Sequence, residues 1–204
     1  MRRLSLILIF SLLGLMACST PYRVVEIPLR DADLYPRAQK KAEITVAVDE
    51  ITDPERVKRY FGADLIKAEI LPINIVVSNH GEGRYIIKPS DVLLLEGKEV
   101  VDPVPVETVA EIAIEEHGLA PTKTAQQINA FFCNLGLKET VLTRQESYQG
   151  ILFFKTTKRD TWKEGHDFMI MKLFREGSFK IYIVVTNIET GERVHFGPIS
   201  LSGI

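Results

Sequence analysis

The chain has 204 residues, of which 46% are hydrophobic and 25% are charged, and its formal net charge is −2. These values are typical of a folded globular protein and argue against long disorder or a fibrous protein. The chain also lacks the excess of basic residues with which proteins neutralise the phosphates of nucleic acids, so we expect no nucleic acid partner.

The first 18 residues carry three consecutive zones. Arg2 and Arg3 form a basic region, residues 4–13 form an apolar region, and the sequence Leu15-Met16-Ala17-Cys18 follows. This arrangement resembles the signal peptide of bacterial lipoproteins, which is cleaved before the cysteine. The resemblance implies that residues 1–17 are removed and that Cys18 carries diacylglycerol and a further acyl chain. Two or three acyl chains hold a protein at a bilayer, whereas a single chain binds only reversibly.

The position after the cysteine bears on the membrane concerned. Lipoproteins retained in the inner membrane carry Asp there, whereas this chain has Ser19. The resemblance therefore implies a cell-envelope protein in the outer membrane, facing the periplasm. An ordinary secretory signal with an incidental cysteine is the alternative interpretation. A retained membrane helix is disfavoured, because residues 4–17 are fewer than the roughly 20 that a span requires.

The rest of the chain divides into a linker and a body. Residues 18–42 contain Pro21, Pro28 and Pro36 without a sustained hydrophobic period, which predicts an extended linker. Alternation of apolar and polar residues then begins at 44–48 and recurs at 71–77, as in half-buried strands. Residues 43–204 are therefore predicted to form one β-rich domain.

A helical period interrupts the strands in the middle of the chain. Val106, Val109, Ala110 and Ala113 recur at helical spacing, and Thr122 is placed to cap a second helix. We expect a helical hairpin at about 106–135, inserted among about seven to nine short antiparallel strands. Such a set of strands favours a β-sandwich.

Two stretches of the predicted strands carry a resemblance to a known type of domain. Pro-Ser-Asp-Val-x-Leu at 89–94, within residues 81–95, and Gly-Ile-Leu-Phe-Phe at 150–154 are the patterns concerned. They resemble the immunoglobulin-like β-sandwich modules of uncharacterised bacterial lipoproteins. The resemblance implies an antiparallel immunoglobulin-like β-sandwich and supplies no catalytic residues.

The segments 168–174 and 179–186 are predicted to pair as a hairpin with two apolar faces. One face, which includes Met169 and Met171, is expected to line the core. The other face is more apolar than a solvated sheet usually is. We expect either the helical hairpin or a partner protein to cover it, and in the second case it is a candidate interaction surface. Its residues are Phe168, Ile170, Phe174, Tyr182 and Val184.

The sequence shows no catalytic constellation. It has no Gly-x-Ser-x-Gly nucleophile motif, and its four histidines lack the spacing of a zinc site. His166 with Met169 and Met171 could bind copper(I), because imidazole and thioethers are ligands that copper(I) accepts. The same methionines complete the predicted core face, however, which favours a packing role. No enzyme, cofactor or metal is therefore predicted.

Two classes of function remain. The favoured class is a non-enzymatic, lipid-anchored envelope protein that serves as a structural or protein-interaction module and docks another envelope protein. The alternative is a periplasmic lipoprotein that holds a small ligand or a soft metal such as copper between the sandwich and the helices.

Overall fold

The computed structural model describes residues 22–118, 122–155 and 179–201. Within these ranges the body is mainly β, as predicted. Its helices are α1 (Pro54–Phe61), α2 (Val106–Glu116) and α3 (Thr122–Leu135), with short 3-10 turns at Ala32–Leu34 and Pro89–Asp91. Its strands are β1 (Gln39–Lys41), β2 (Ile44–Glu50), β3 (Ile70–Asn79), β4 (Tyr85–Ile87), β5 (Val92–Glu96), β6 (Glu99–Val101), β7 (Pro103–Val104), β8 (Thr140–Leu142), β9 (Ser147–Lys155), β10 (Phe179–Asn187) and β11 (Arg193–Leu201).

The strands form two antiparallel sheets. Sheet A has the order β1-β2-β3-β9-β7, and sheet B has the order β6-β5-β10-β4-β8. In sheet B, β11 pairs with one edge of β10, while β5 and β4 follow each other along its other edge. The predicted antiparallel, mainly β architecture is therefore confirmed.

The two sheets share one apolar core. Alternate residues of β2 and β3, including Val46 and Ile75, are fully buried in the same cluster as Ile181, Ile183 and Val185 of β10. Burial of alternate residues from two sheets in one cluster is the arrangement of a sandwich. Both faces of sheet A are covered, because every residue of β3 is buried.

The helices occupy the positions that their end signals predict. The side chain of Asp53 accepts a hydrogen bond from the Glu55 amide at the start of α1, and Gly62 ends this helix with a φ of 63°. Helices α2 and α3 lie in the range predicted for the helical hairpin. Aromatic rings join α3 to α1 and β9, since Phe132 lies 6.1 Å from Phe61 and 5.8 Å from Phe153 between ring centroids. No helix in the described ranges is long and apolar enough to cross a membrane.

The predicted linker, residues 18–42, requires a correction over its described part. Residues 22–41 pack along the body: Ile27 and Ala32 are buried, and β1 pairs with β2. The Ala32 amide donates to the Ser78 hydroxyl at 2.9 Å, and the Gln149 side chain donates to the Ile27 carbonyl at 2.8 Å. The prolines remove the regular period of a strand, but these long-range bonds still satisfy the backbone.

The predicted hairpin between 168–174 and β10 falls only partly on described residues. Residues 156–178 lie outside the described ranges, but the neighbours of β10 are known. β11 pairs with it from Phe179 to Thr186, and β5 and β4 pair with its opposite edge. Both edges of β10 thus have described partners, and the predicted pairing with 168–174 falls on residues outside the described ranges.

Candidate interaction surface

Sheet B turns an apolar face away from the core. Tyr182 and Val184 are half-buried, and they alternate along β10 with Ile181, Ile183 and Val185, whose side chains enter the core. Side chains of successive strand residues point to opposite faces of a sheet. Tyr182 and Val184 therefore lie on the outer face of sheet B, as the sequence predicts for these two residues.

The outer face continues across the neighbouring strands. Residues directly opposite each other in antiparallel strands share a face. Tyr182 is paired with Leu93, and Leu95 is paired with Val100. Further along the same edge of β10, Ile86 is paired with Thr186 and with Val141. These residues form what we call the apolar band: Leu93, Leu95, Val100, Tyr182, Val184, Ile86 and Val141.

The apolar band is open over much of its extent. Within the described residues, the exposed fractions are 40% for Leu93, 59% for Val100 and 41% for Val141. Helix α3 packs against α1 and β9 through Phe132, and the side chains of Leu93, Val100 and Val141 remain exposed. The helical cover that the sequence allows as one alternative is thus not provided at Leu93 or Val100.

A backbone irregularity fixes the position of Tyr182. The pairing of β10 with β11 shifts register between Ile181 and Ile183, opposite Gly197. Gly197 has a φ of 111°, a backbone conformation that residues other than glycine rarely adopt. A Cβ atom at Gly197 would lie 2.6 Å from the Ile181 carbonyl oxygen and 3.2 Å from Cδ1 of Tyr182. Glycine therefore lets β11 approach β10 closely beside the Tyr182 ring.

Three of the predicted surface residues have no structural account. Phe168, Ile170 and Phe174 lie outside the described ranges. The candidate copper ligands His166, Met169 and Met171 also lie there, as does the lipidation site Cys18. Of the sequence-predicted site residues, the structure thus places Tyr182 and Val184, and it brings them together with exposed neighbours that sequence analysis missed.

A cluster of potential cation ligands lies at the other side of the body. His80 Nε2 is 3.5 Å from Asp31 Oδ1 and 3.3 Å from Asp33 Oδ2. Nitrogen and carboxylate ligands at such spacing suit a divalent cation such as zinc. The Asp31 carboxylate also accepts a hydrogen bond from the Asp33 amide. The cluster joins the N-terminal segment to the end of β3. Sequence analysis missed it because His80 lies far from Asp31 and Asp33 in the sequence.

A cleft between α2 and α3 is a described cavity that could be considered for the alternative function, the binding of a small ligand. Its volume is about 440 Å³ and its lining includes Ala110, Ile114 and Ala125 together with the carboxylates of Glu107 and Glu111. The cleft lies between the two helices, whereas the alternative function places the ligand between the sandwich and the helices.

Cys133 on α3 is a half-buried free thiol with Sγ 3.7 Å from Asn129 Oδ1.

The first described residue is firmly attached to the body. The Tyr22 hydroxyl donates to the Phe61 carbonyl at 2.5 Å, and its ring lies 5.4 Å from His117 and 5.6 Å from Phe131. Burial raises the pKa of the Tyr22 phenol above its usual value. Three residues further along the chain, the Val25 amide donates to the Arg59 carbonyl at 2.9 Å.

Comparison with known proteins gives only distant similarities. No protein-family model and no curated protein matches the sequence. The structure is similar to ycdA of Bacillus subtilis, described as a candidate lipoprotein, with 13% identity, a TM-score of 0.41 and coverage of 82% of this chain and 38% of ycdA. The yjhA protein of Bacillus subtilis has 11% identity and a TM-score of 0.40, covering 79% of this chain and 95% of yjhA.

A domain of the outer membrane lipoprotein Omp28 from Porphyromonas gingivalis is a third similar structure. It has 12% identity and a TM-score of 0.30, and the match covers 90% of this chain and 98% of that domain. At these identities and TM-scores, the similarities assign neither a family nor a function to this chain.

Proposed function

We propose that this protein is a non-enzymatic, lipid-anchored protein of the bacterial cell envelope that binds another envelope protein through the outer face of sheet B. The observation that carries the interaction is the apolar band, which remains exposed at Leu93, Val100 and Val141. The observation that supports the anchor is the leader that ends at Cys18.

The shape of the outer face favours a protein as the partner. The apolar band is three strands wide, because β5 and β4 share one edge of β10, and β6 and β8 lie outside them. This corresponds to a width of roughly 10 Å at about 4.8 Å between strands, and the band also extends along the length of β10. Small ligands bind mainly in concave pockets, whereas an open apolar area with a polar rim is typical of protein interfaces. Lys180 and His195 on the same face supply part of such a rim. Tyr182 offers the aromatic side chain that often anchors such contacts.

The envelope location rests on the N-terminal zones. Basic residues, an apolar stretch and Ala17-Cys18 occur in the order of a lipoprotein signal peptide. Acylation of Cys18 would hold the body at a membrane, and Ser19 favours the outer membrane with the body in the periplasm. An immunoglobulin-like arrangement of the sandwich belongs to the same proposal, supported by the two antiparallel sheets and their shared core.

The three described histidines lie apart from one another. His80 lies between two aspartates, and Nε2 of His117 is 2.8 Å from the Gly62 carbonyl oxygen. His195 is exposed on β11. These three described rings therefore do not come together at one site, which disfavours a mechanism that uses two of them jointly.

Site-specific crosslinking in the producing cells tests the interaction. A photo-crosslinking amino acid replaces Leu93 in the full chain, and a matched control places it at Glu189, which is exposed in the turn after β10. We expect one recurrent protein partner from position 93 and none from position 189. Val100→Lys, on the same face, should reduce that crosslink several-fold while changing the free energy of unfolding by less than about 0.5 kcal/mol.

Two results would contradict the proposal. One is the same set of crosslinked proteins from positions 93 and 189, which would indicate random encounters. The other is a crosslink from position 93 whose yield does not respond to Val100→Lys, since a charge buried without a partner in an apolar interface is costly.

A further inference from the structure

The N-terminal segment leaves almost no free chain between the body and Cys18. Tyr22 is held by the hydrogen bond to Phe61 and by ring contacts with His117 and Phe131. The backbone bond from Val25 to Arg59 holds the following residues against α1. The point at which the chain leaves the body is therefore fixed beside α1.

The covalent chain then limits how far the body can stand from a membrane. Only three residues, 19–21, separate Cys18 from Tyr22. Four residue steps span at most about 14 Å, because a fully extended chain covers 3.3–3.6 Å per residue. A free linker extending to residue 42, as the sequence suggested, would allow roughly 80 Å. The body is thus close to the bilayer if Cys18 is acylated.

The direction of the strands in sheet A shows which end of the body lies near the attachment point of Cys18. β2 ends at Glu50, shortly before α1, and β3 begins at Ile70 at the same end of the sheet, where the two are paired at Glu50 and Ile73. β3 then runs for ten residues to Asn79, a length of roughly 30 Å at about 3.4 Å per residue. The turn after Asn79, with Glu82, lies at the opposite end.

We propose that the α1 end of the body faces the lipid headgroups of the membrane that holds Cys18, and that the turn containing Glu82 points away from it. The proposal rests on the lipid anchor of the proposed function and adds the orientation and the surface of contact. The contact surface comprises Arg23, Val25 and Arg59.

The chemistry of this contact surface suits a bilayer interface. Val25 is 52% exposed, and Arg23 and Arg59 are exposed beside it. Among the described residues neither guanidinium has an ion-pair partner, although that of Arg59 lies 5.2 Å from the centroid of the Tyr60 ring. The neighbouring Lys58 is paired with Asp64 at 3.3 Å. Arginine donates several hydrogen bonds to phosphate oxygens, and its apolar stem can lie along an apolar surface. Phosphate headgroups around an apolar interior present the complementary groups.

The orientation can be measured on the acylated full chain in vesicles of phosphatidylethanolamine and phosphatidylglycerol. In a Cys133→Ala background, a fluorophore is attached at Val25→Cys or, as the matched distal site, at Glu82→Cys, whose wild-type side chain is 74% exposed. A nitroxide on the lipid headgroup serves as a short-range quencher. Arg23→Cys is a second proximal site if Val25→Cys does not fold.

We expect quenching at the proximal site to exceed quenching at position 82 several-fold. Equal quenching at both sites, or stronger quenching at position 82, on a chain whose acylation is verified by mass spectrometry would overturn the orientation and leave the lipid anchor intact. An unmodified Cys18 in the same sample would overturn the anchor and the orientation together.

Discussion

Removing the Tyr22 ring should release the N-terminal segment from the body. Tyr22 contributes one hydrogen bond, to the Phe61 carbonyl, and two edge-on ring contacts, with His117 and Phe131. Tyr22→Phe removes only the hydroxyl, whereas Tyr22→Ala removes all three interactions. The two variants therefore separate the hydrogen bond from the ring contacts.

The expected magnitudes follow from these contacts. A hydrogen bond of this kind contributes about 1 kcal/mol net, and each aromatic pair contributes about 0.5–1.5 kcal/mol. We expect a loss of about 1 kcal/mol for Tyr22→Phe and about 2–4 kcal/mol for Tyr22→Ala. In a protein of this size those losses lower Tm by about 3 °C and about 10 °C. Leu29→Ala, at a 53% exposed position of the same segment, should cost less than about 0.5 kcal/mol.

Urea unfolding and amide hydrogen exchange together measure the effect. The Val25 amide, which donates to Arg59, should exchange faster in Tyr22→Ala than in the wild type or in Leu29→Ala. A Tyr22→Ala protein as stable as Leu29→Ala, with unchanged protection of the Val25 amide, would refute the account of this segment as part of the body.

Three further predictions concern stability. Because burial raises the pKa of Tyr22 in the folded protein, its contribution to the free energy of unfolding is fully present below the unfolded pKa of about 10 and is lost as pH rises above that value. In urea unfolding at about pH 9–11, the free energy of unfolding should therefore fall less steeply with pH for Tyr22→Phe than for the wild type. Gly197→Ala should cost at least about 2 kcal/mol by the same assay, since φ is 111° and the new Cβ meets the Ile181 carbonyl. Phe132→Ala should cost about 3–5 kcal/mol in thermal denaturation, and the half-buried neighbour Cys133→Ala less than about 1 kcal/mol.

Elements with a strong local signal could be predicted from the sequence. The alternations at 44–48, 71–77 and 179–185 lie within β2, β3 and β10. Asp53 and Gly62 mark the ends of α1, because an acceptor side chain and a left-handed glycine satisfy the groups that a helix end leaves unpaired.

Pairing between distant parts of the chain could not be predicted. The described partners of β10 are β11 on one edge and β4 and β5 on the other, and β4 and β5 lie far from it in the sequence. Residues 25–32 lack a period because their backbone bonds go to Gln149, Ser78 and Arg59 instead of to a regular neighbour. No local pattern encodes such partners.

The candidate surface was only partly accessible to sequence reasoning. Tyr182 and Val184 were predicted because β10 alternates clearly. Leu93 was missed because it stands in a continuous apolar run, 92–95, in which no alternation indicates the exposed face. Val100 and Val141 lie in strands of three residues, which are too short to show a period.

Mass spectrometry of the N-terminal peptide, from protein purified out of the membranes of the producing cells, tests the central claim most directly. The account predicts a peptide that begins at Cys18 and carries the mass of a diacylglycerol group with a further acyl chain. A chain that begins at Met1, or an unmodified Cys18 peptide, would contradict the lipid anchor on which the proposed function and orientation depend.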